Sequence, residues 1–277
     1  MKEIKVSYAK INNMGDLLNE LIIERVFGYK VIHTNSIECQ TTGIGSNLNS
    51  IFPEKSQPFI KLFAKKIYGK FTPPVQIWST GFISYPKGEH LFVRKEYNVA
   101  AVRGELTRKR LENILKTKLD IPTGDGGLLA SYLIEKPIQK KYLIGIIPHY
   151  KEKNEPRFQQ LLDSYKNSVF IDLTDDPLSV VKTIAECEYI LSSSLHGLVV
   201  ADSFGIPNMR LKYTNKLLGD GYKFDDYYSA FNVENNYFDL NKAGYPSINK
   251  IIDEYKIRSS DVEKKKKELI ESFYKYI

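Results

Sequence analysis

SSSLHGLVVADSFGIP, residues 192–207, carries a strand end, a tight turn and a buried helix in sixteen positions. The apolar run before it reads as a strand over 188–192. Ser194 is a good N-cap, because its side-chain oxygen can accept from free N–H groups of the first helical turn. Leu195, Leu198, Val199 and Phe204 then recur at helical spacing, so the spacing predicts a helix over 195–204. Pro207 ends that helix and residues 208–213 return as a strand.

The same rhythm extends in both directions. Towards the N-terminus, KYLIGIIPHY reads as a strand ending near Ile147 and stopped by Pro148. Helix 156–166, strand 168–172 and helix 177–186 fill the gap. In the first half, strands are predicted at 4–9, 30–33, 41–44, 75–80 and 98–102. Helices are predicted at 16–27, 58–69 and 104–116, and GDGGLLASYL opens one more. Strands alternating with helices predict an α/β fold with mostly parallel strands. The polar, proline-bearing KPIQKK (136–141) divides it into an N-terminal domain, 1–138, and a C-terminal domain, 139–258. Residues 259–277 form a last helix, with Ser260 and Glu263 spaced as a capping box. Its apolar stripe of Val262, Leu269, Ile270, Phe273 and Ile277 must be buried, and crossing back onto the first domain would do so.

Composition excludes several classes. Of the 277 residues, 42% are hydrophobic and 26% charged, the balance of an ordinary folded protein. No stretch approaches the ~20 apolar residues of a membrane helix. MKEIKVSYAK alternates charged and apolar residues where a signal peptide would have an apolar block, so a cytoplasmic location is expected. Cys39 and Cys187 lie far apart with no metal-ligand spacing, which predicts two reduced, partly buried thiols. The formal charge of +7 favours anionic partners. No zinc-finger, RNP-type or basic-zipper pattern points to nucleic acid, and no cluster points to a metal. The lysines at 264–267 read as the wet face of a helix.

In open α/β sheets ligands sit beyond the carboxyl ends of the strands, beside helix N-termini. Polar, glycine-bearing segments at such junctions are therefore the candidates for chemistry. In the 192–207 stretch, Ser194, Leu195 and Gly197 offer backbone to an anion. His196 would sit in the first helical turn, placed to meet that anion or to transfer a proton near neutral pH; a capping or packing histidine is the plainer alternative. Arg103 follows the strand NVAAV and precedes Gly104, where a guanidinium can grip a phosphate or carboxylate with two parallel hydrogen bonds. Asn13, Gly15 and Asp16 lie between the first strand and helix, where Asp16 also suits the helix dipole. Gly43, Gly45 and Ser46 of GIGS offer amides to a phosphate, without a full dinucleotide fingerprint or a Walker lysine. Asp125 of GDGG either caps a helix or lines the cleft, and His149 stands at another strand end.

Taken in order, NNMGDLLN, GIGS, IWSTGF, AVRGELTRKRL, GDGGLLA, IGIIPHY and SSSLHGLVVADSFGIP resemble the polysaccharide pyruvyltransferase family over most of the chain. Where the family more often has Gly-Asp-Pro, this chain has GDGG. The resemblance implies two Rossmann-like lobes facing a cleft in the GT-B manner. It also implies phosphoenolpyruvate as donor, with no further cofactor, and a hexose of a glycan or lipid-linked oligosaccharide as acceptor. Arg103 and His196 match the family's arginine and histidine. Arg103 would then hold the anion, and His196 would serve the proton or the departure of phosphate. His196→Ala and Arg103→Ala are each expected to abolish transfer with the fold intact.

Two other readings share these features. A GT-B glycosyltransferase using a nucleotide sugar has the same architecture, and a non-catalytic glycan- or anion-binding protein suits the 19 tyrosines, with Tyr227, Tyr228 and Phe224 either contacting sugar or packed in the core. Residues Phe59, Ile60, Leu62, Phe63 and Ile67 alternate with Lys61, Lys65, Lys66 and Lys70. Such a helix is either partly buried with its lysines directed outward, or rests on the inner face of an anionic membrane.

Overall fold

The computed structural model describes residues 1–54, 67, 69, 71–135 and 137–277. The helix expected at 58–69, with Lys61, Lys65, Lys66 and Lys70, lies outside the described residues apart from Ile67 and Gly69.

The first half contains β1 (Lys2–Ser7), α1 (Met14–Arg25), β2 (Tyr29–His33), β3 (Thr41–Thr42), α2 (Leu48–Ile51), β4 (Val75–Ile77), β5 (Tyr97–Val99) and α3 (Glu105–Leu115). A 3₁₀ helix, Gly126–Leu133, follows. The second half contains β6 (Tyr142–Ile147), α4 (Pro156–Asp163), β7 (Ser168–Phe170), α5 (Pro177–Ala185), β8 (Cys187–Ser192), α6 (Leu195–Ser203) and β9 (Asn208–Lys212). It continues through α7 (Tyr222–Ser229), β10 (Phe238–Asp239), α8 (Ile248–Glu254) and α9 (Ser259–Phe273).

Two five-stranded sheets result, ordered β2-β1-β3-β4-β5 and β10-β9-β8-β6-β7. All their pairings are parallel. In each sheet the first strand lies between the second and the third, with the fourth and fifth beyond the third. The two halves thus repeat one Rossmann-like topology, a duplication the sequence does not reveal. Each sheet has its own switch point, between β1 and β3 in one and between β6 and β8 in the other.

One core joins the halves. Ile4, Val6, Leu18 and Ile22 share a buried cluster with Val181, Leu198 and Val199. The 3₁₀ helix packs between them through Leu128 and Leu129. GDGG was expected to open an α-helix. Gly126 and Gly127 instead bring backbone hard against Ser79 and Val199, where a Cβ would crowd both. Cys39 and Cys187 are free and fully buried.

The last helix crosses back onto the first sheet. Trp78 donates from its indole to the Leu269 carbonyl at 3.0 Å, and Gln76 donates to the Phe273 carbonyl at 3.1 Å. Phe273 stacks on Phe27 with ring centres 3.8 Å apart. The expected capping box does not form. α9 begins at Ser259, and its N-cap is Arg258, two residues before Ser260, with no side-chain cap. Glu263 pairs instead with Lys266 at 2.6 Å, whose ammonium also donates to the Ser203 carbonyl of the second half at 2.7 Å. A buried lysine needs those partners more than the helix end needs its cap.

Candidate active site

The two switch points face each other across a cavity of about 170 Å³. Asn13 reaches it from the loop after β1, Gly45 and Ser46 from after β3, His149 from after β6, and Ser194, Leu195 and His196 from after β8. Asp16 lines it from the first turn of α1. That helix begins at Met14, two residues earlier than expected, because the Asn13 side chain accepts from the Gly15 N–H and caps it.

His196 is wedged between the halves. Its Nε2 points inward, 3.9 Å from Asp125 Oδ2, and neither atom has a hydrogen-bond partner among the described residues. Asp125 keeps its other oxygen on the Gly127 N–H at 2.9 Å. On the opposite edge, the imidazole lies directly on Gly15, where a Cβ would overlap Nδ1. Gly15 is therefore required by close approach. Gly15→Ala is expected to displace the imidazole and cut transfer roughly 100-fold, since small misplacements of reacting groups have that scale of cost. Its melting curve should stay near wild type; unchanged turnover would show that the ring position is immaterial.

The charge state of the pocket follows from burial. Desolvation pulls His196 down to about 3, helped by Lys223, Arg103 and His149. His149 is likewise lowered to about 3, by desolvation first and then by Lys223 and Lys151. Asp16 is pushed up to about 6 by burial, against the opposing hydrogen bond from Asn13 and the charge of Lys223. Asp125, fully buried, is also raised to about 6, with Arg103 opposing. At neutral pH the pocket thus holds two neutral imidazoles, and Lys223 and Lys151 both line it.

Lys223 is a pocket residue that sequence reasoning missed. It lines the cavity from the first turn of α7 and makes no hydrogen bond or ion pair among the described residues. Its ammonium lies over the face of Phe224, 5.3 Å from the ring centre. Desolvation, then Arg103 and Arg210, lower it to about 8, while Asp16 and Glu152 oppose the shift. Desolvating an ammonium without a partner is costly, and an anion beside Lys223 would relieve that cost. No local signal marks it, because YKFDDYYS carries no motif.

Arg103 does not line the cavity, contrary to expectation. It is fully buried, with Nε on Asp226 Oδ2 at 2.9 Å, Nη1 on Ser46 Oγ at 2.8 Å and Nη2 on the Phe82 carbonyl at 2.7 Å. Asp226 also accepts from the Thr107 N–H and hydroxyl, both at 2.7 Å. Gly104 lets α7 approach, since a Cβ there would run into the Asp226 backbone. Arg103 therefore ties α7, and with it Lys223, to the first half, and reaches the cavity only through Ser46. Its removal would leave a buried carboxylate short of its cation, so Arg103→Ala is expected to lower stability as well as transfer.

Three other candidates stand behind the pocket. Gly43 packs against the Asn19 side chain, Gly197 against Ser192 and Ile147, and Asp125 against His196. The His149 loop is held from below by Glu152, which is buried and accepts from Ser193 Oγ at 2.6 Å and from the Thr214 N–H at 3.0 Å. Ser193 Oγ in turn accepts from the His149 N–H at 2.8 Å. Tyr227 and Tyr228 are core residues, and Tyr227 donates to buried Asp202 at 2.6 Å. Among the described residues no group of three His, Cys, Asp or Glu side chains could hold a metal, and no helix is long and apolar enough to cross a membrane.

Paired doubly wound sheets, meeting switch point to switch point around a pocket lined by lysines and two histidines, define an α/β protein with a polar site between its halves. The sequence profile of the polysaccharide pyruvyl transferase family matches residues 5–215. The chain belongs to that family and is a polysaccharide pyruvyltransferase. It is 31% identical over 244 residues to Uncharacterized protein L143 of Acanthamoeba polyphaga mimivirus, covering 86% of this chain and 77% of that one. It is 24% identical over 140 residues to the succinoglycan biosynthesis protein ExoV of Rhizobium meliloti (strain 1021), covering 50% of this chain and 42% of ExoV. A crystal structure of a functionally uncharacterized Klebsiella pneumoniae protein aligns over 83% of this chain and 90% of its own, with a TM-score of 0.45 and 15% identity. The family match stops before α7, so Lys223 and Asp226 lie beyond it.

Proposed function

We propose that the donor is phosphoenolpyruvate and that the product is a pyruvate ketal on a hexose of a surface glycan or its lipid-linked precursor. The observation that carries this reading is the unpaired Lys223 ammonium beside two neutral imidazoles at the facing switch points. A GT-B-like arrangement of the two halves agrees with a site between them.

Lys223 and the N–H groups at the start of α6 hold the donor's phosphate and carboxylate. The chemistry needs two proton transfers. Protonation of the methylene carbon makes C2 electrophilic, one sugar hydroxyl adds, phosphate leaves, and a second hydroxyl closes the ketal. Of the two hydroxyl protons released, one ends on the new methyl group and the other on phosphate. Asp16, raised to about 6, is poised to carry the first. His196 carries the second, because a phosphate dianion beside it raises an imidazole that burial had lowered. Asp125 steadies the ring from behind.

The test follows phosphate release from phosphoenolpyruvate with and without a panel of glycans, together with thermal stabilisation by phosphoenolpyruvate alone. Acceptor-dependent release with a matching mass gain on the sugar is the expected result. Absence of both release and stabilisation would reject the donor.

Donor affinity should depend on pH through Lys223. Its ammonium is present below about 8 and lost above. Affinity should therefore be steady near pH 7 and weaken about tenfold per unit once pH exceeds 8. Calorimetric titration with phosphoenolpyruvate from pH 6.5 to 9.5 measures this, and Lys223→Arg should remove the alkaline loss, since a guanidinium stays charged throughout. A flat wild-type profile would rule out Lys223 as the anion's partner.

A further inference from the structure

A second cavity of about 380 Å³ adjoins the first, with Leu218 on the ridge between them. It lies on the second half, beneath the loop from β9 to α7. Arg210, only 8% exposed, lines it, and its Nε has no hydrogen-bond partner. Among the described residues the guanidinium makes no hydrogen bond or ion pair at all. It is held by stacking on Phe224, 3.9 Å from the ring centre, with Tyr237 at 5.2 Å. A buried guanidinium whose donors have no hydrogen-bond partner is costly unless a ligand supplies one.

The rest of the lining identifies the ligand class. Tyr237 presents a ring 44% exposed. Asn235 leaves its carbonyl oxygen unpaired while its amide donates to Asp225 at 2.6 Å. Asp225 is fixed from the other side by the Tyr85 hydroxyl at 2.8 Å. Arg210 and Lys212 are accompanied in this cavity by Asp220 and Asp225. Planar polar side chains with both donors and acceptors, beside an aromatic face and without excess charge, suit a neutral sugar ring.

We propose that this cavity binds a neutral hexose of the acceptor glycan, with Arg210 and Asn235 reading its hydroxyls and Tyr237 stacking on its face. The assignment rests on the functional reading above for the word acceptor. Consecutive residues of α7 then serve the two substrates, Lys223 the donor anion and Phe224, through Arg210, the sugar. Leu218 separates the sites by a single side chain, so a glycan seated in the larger cavity can extend its reacting hydroxyls into the smaller one.

Saturation-transfer NMR of the full chain with methyl β-galactoside, lactose, cellobiose and methyl α-mannoside tests the site without turnover. At least one sugar should show transfer from the wild type, lost in Arg210→Lys and in Tyr237→Ala. Thermal stabilisation by phosphoenolpyruvate should be unaffected by either change. In turnover, the acceptor KM should rise about tenfold to a hundredfold, the scale of a lost charged hydrogen bond, with donor KM unchanged. Should Arg210→Lys fail to fold, Tyr237→Ala decides, because its ring is half exposed. No transfer to any of the four sugars, or transfer equal in the variants, overturns the proposal. Sugar binding that follows these variants, in a protein that phosphoenolpyruvate does not stabilise, upholds the sugar site and rejects the donor reading instead.

Discussion

Arg103→Ala is expected to destabilise the protein by about 3–5 kcal/mol, the usual cost of removing one partner of a buried ion pair. Both side chains are fully buried. The alanine leaves the Asp226 carboxylate inside the core with only Thr107 to answer it. At this chain length, that loss corresponds to a fall in melting temperature of roughly 6–20 °C. Transfer should be lost as well, because α7 and Ser46 are no longer held in place. Thermal unfolding of Arg103→Ala, Asp226→Ala and the double variant separates the causes. The double variant should be much less destabilised than the sum of the singles, since the second removal takes away an already orphaned group. A wild-type melting curve for Arg103→Ala with transfer abolished would mean that the guanidinium serves the ligand directly.

Lys223→Ala should do the opposite to the two quantities. Losing a preorganised charge at the reacting anion should reduce transfer by about 10²–10³, yet the fold should hold or gain, because the lysine is desolvated without a partner. Phosphate-release kinetics and melting curves on the same preparations measure both. Loss of donor stabilisation in Lys223→Ala, with the fold unchanged, is the specific outcome expected. His196→Ala should also lower transfer, by about 10²–10⁴ for a proton-transferring group, while donor stabilisation persists. If Lys223→Ala kept wild-type donor affinity, the ammonium would have no part in the site.

These two variants separate what is readable along a chain from what is not. Asn13, Asp16, Gly45, Ser46, His149 and His196 are legible as candidates because each stands at a strand end, and strand ends converge in this topology. Gly43, Gly197 and Asp125 share that sequence position but turn away from the cavity, and only packing decides the direction. Arg103 looks the same as a free guanidinium in AVRGELTRKRL. Its partner Asp226 lies 123 residues away, in a helix with no predictive pattern.

By itself, the sequence determined the alternation of strand and helix, the apolar stripe of the last helix and the chemical character of the strand-end loops. These rest on local periodicity and on capping and turn chemistry, which act over a few residues. The tertiary structure alone decided the shared strand order of the two sheets, the burial of Arg103, the failure of the Ser260 capping box and the arrival of Lys223 and Arg210 at adjoining cavities. Each of these depends on which distant groups meet in a medium too dry to leave a charge unanswered, and that competition is settled only when the chain has folded.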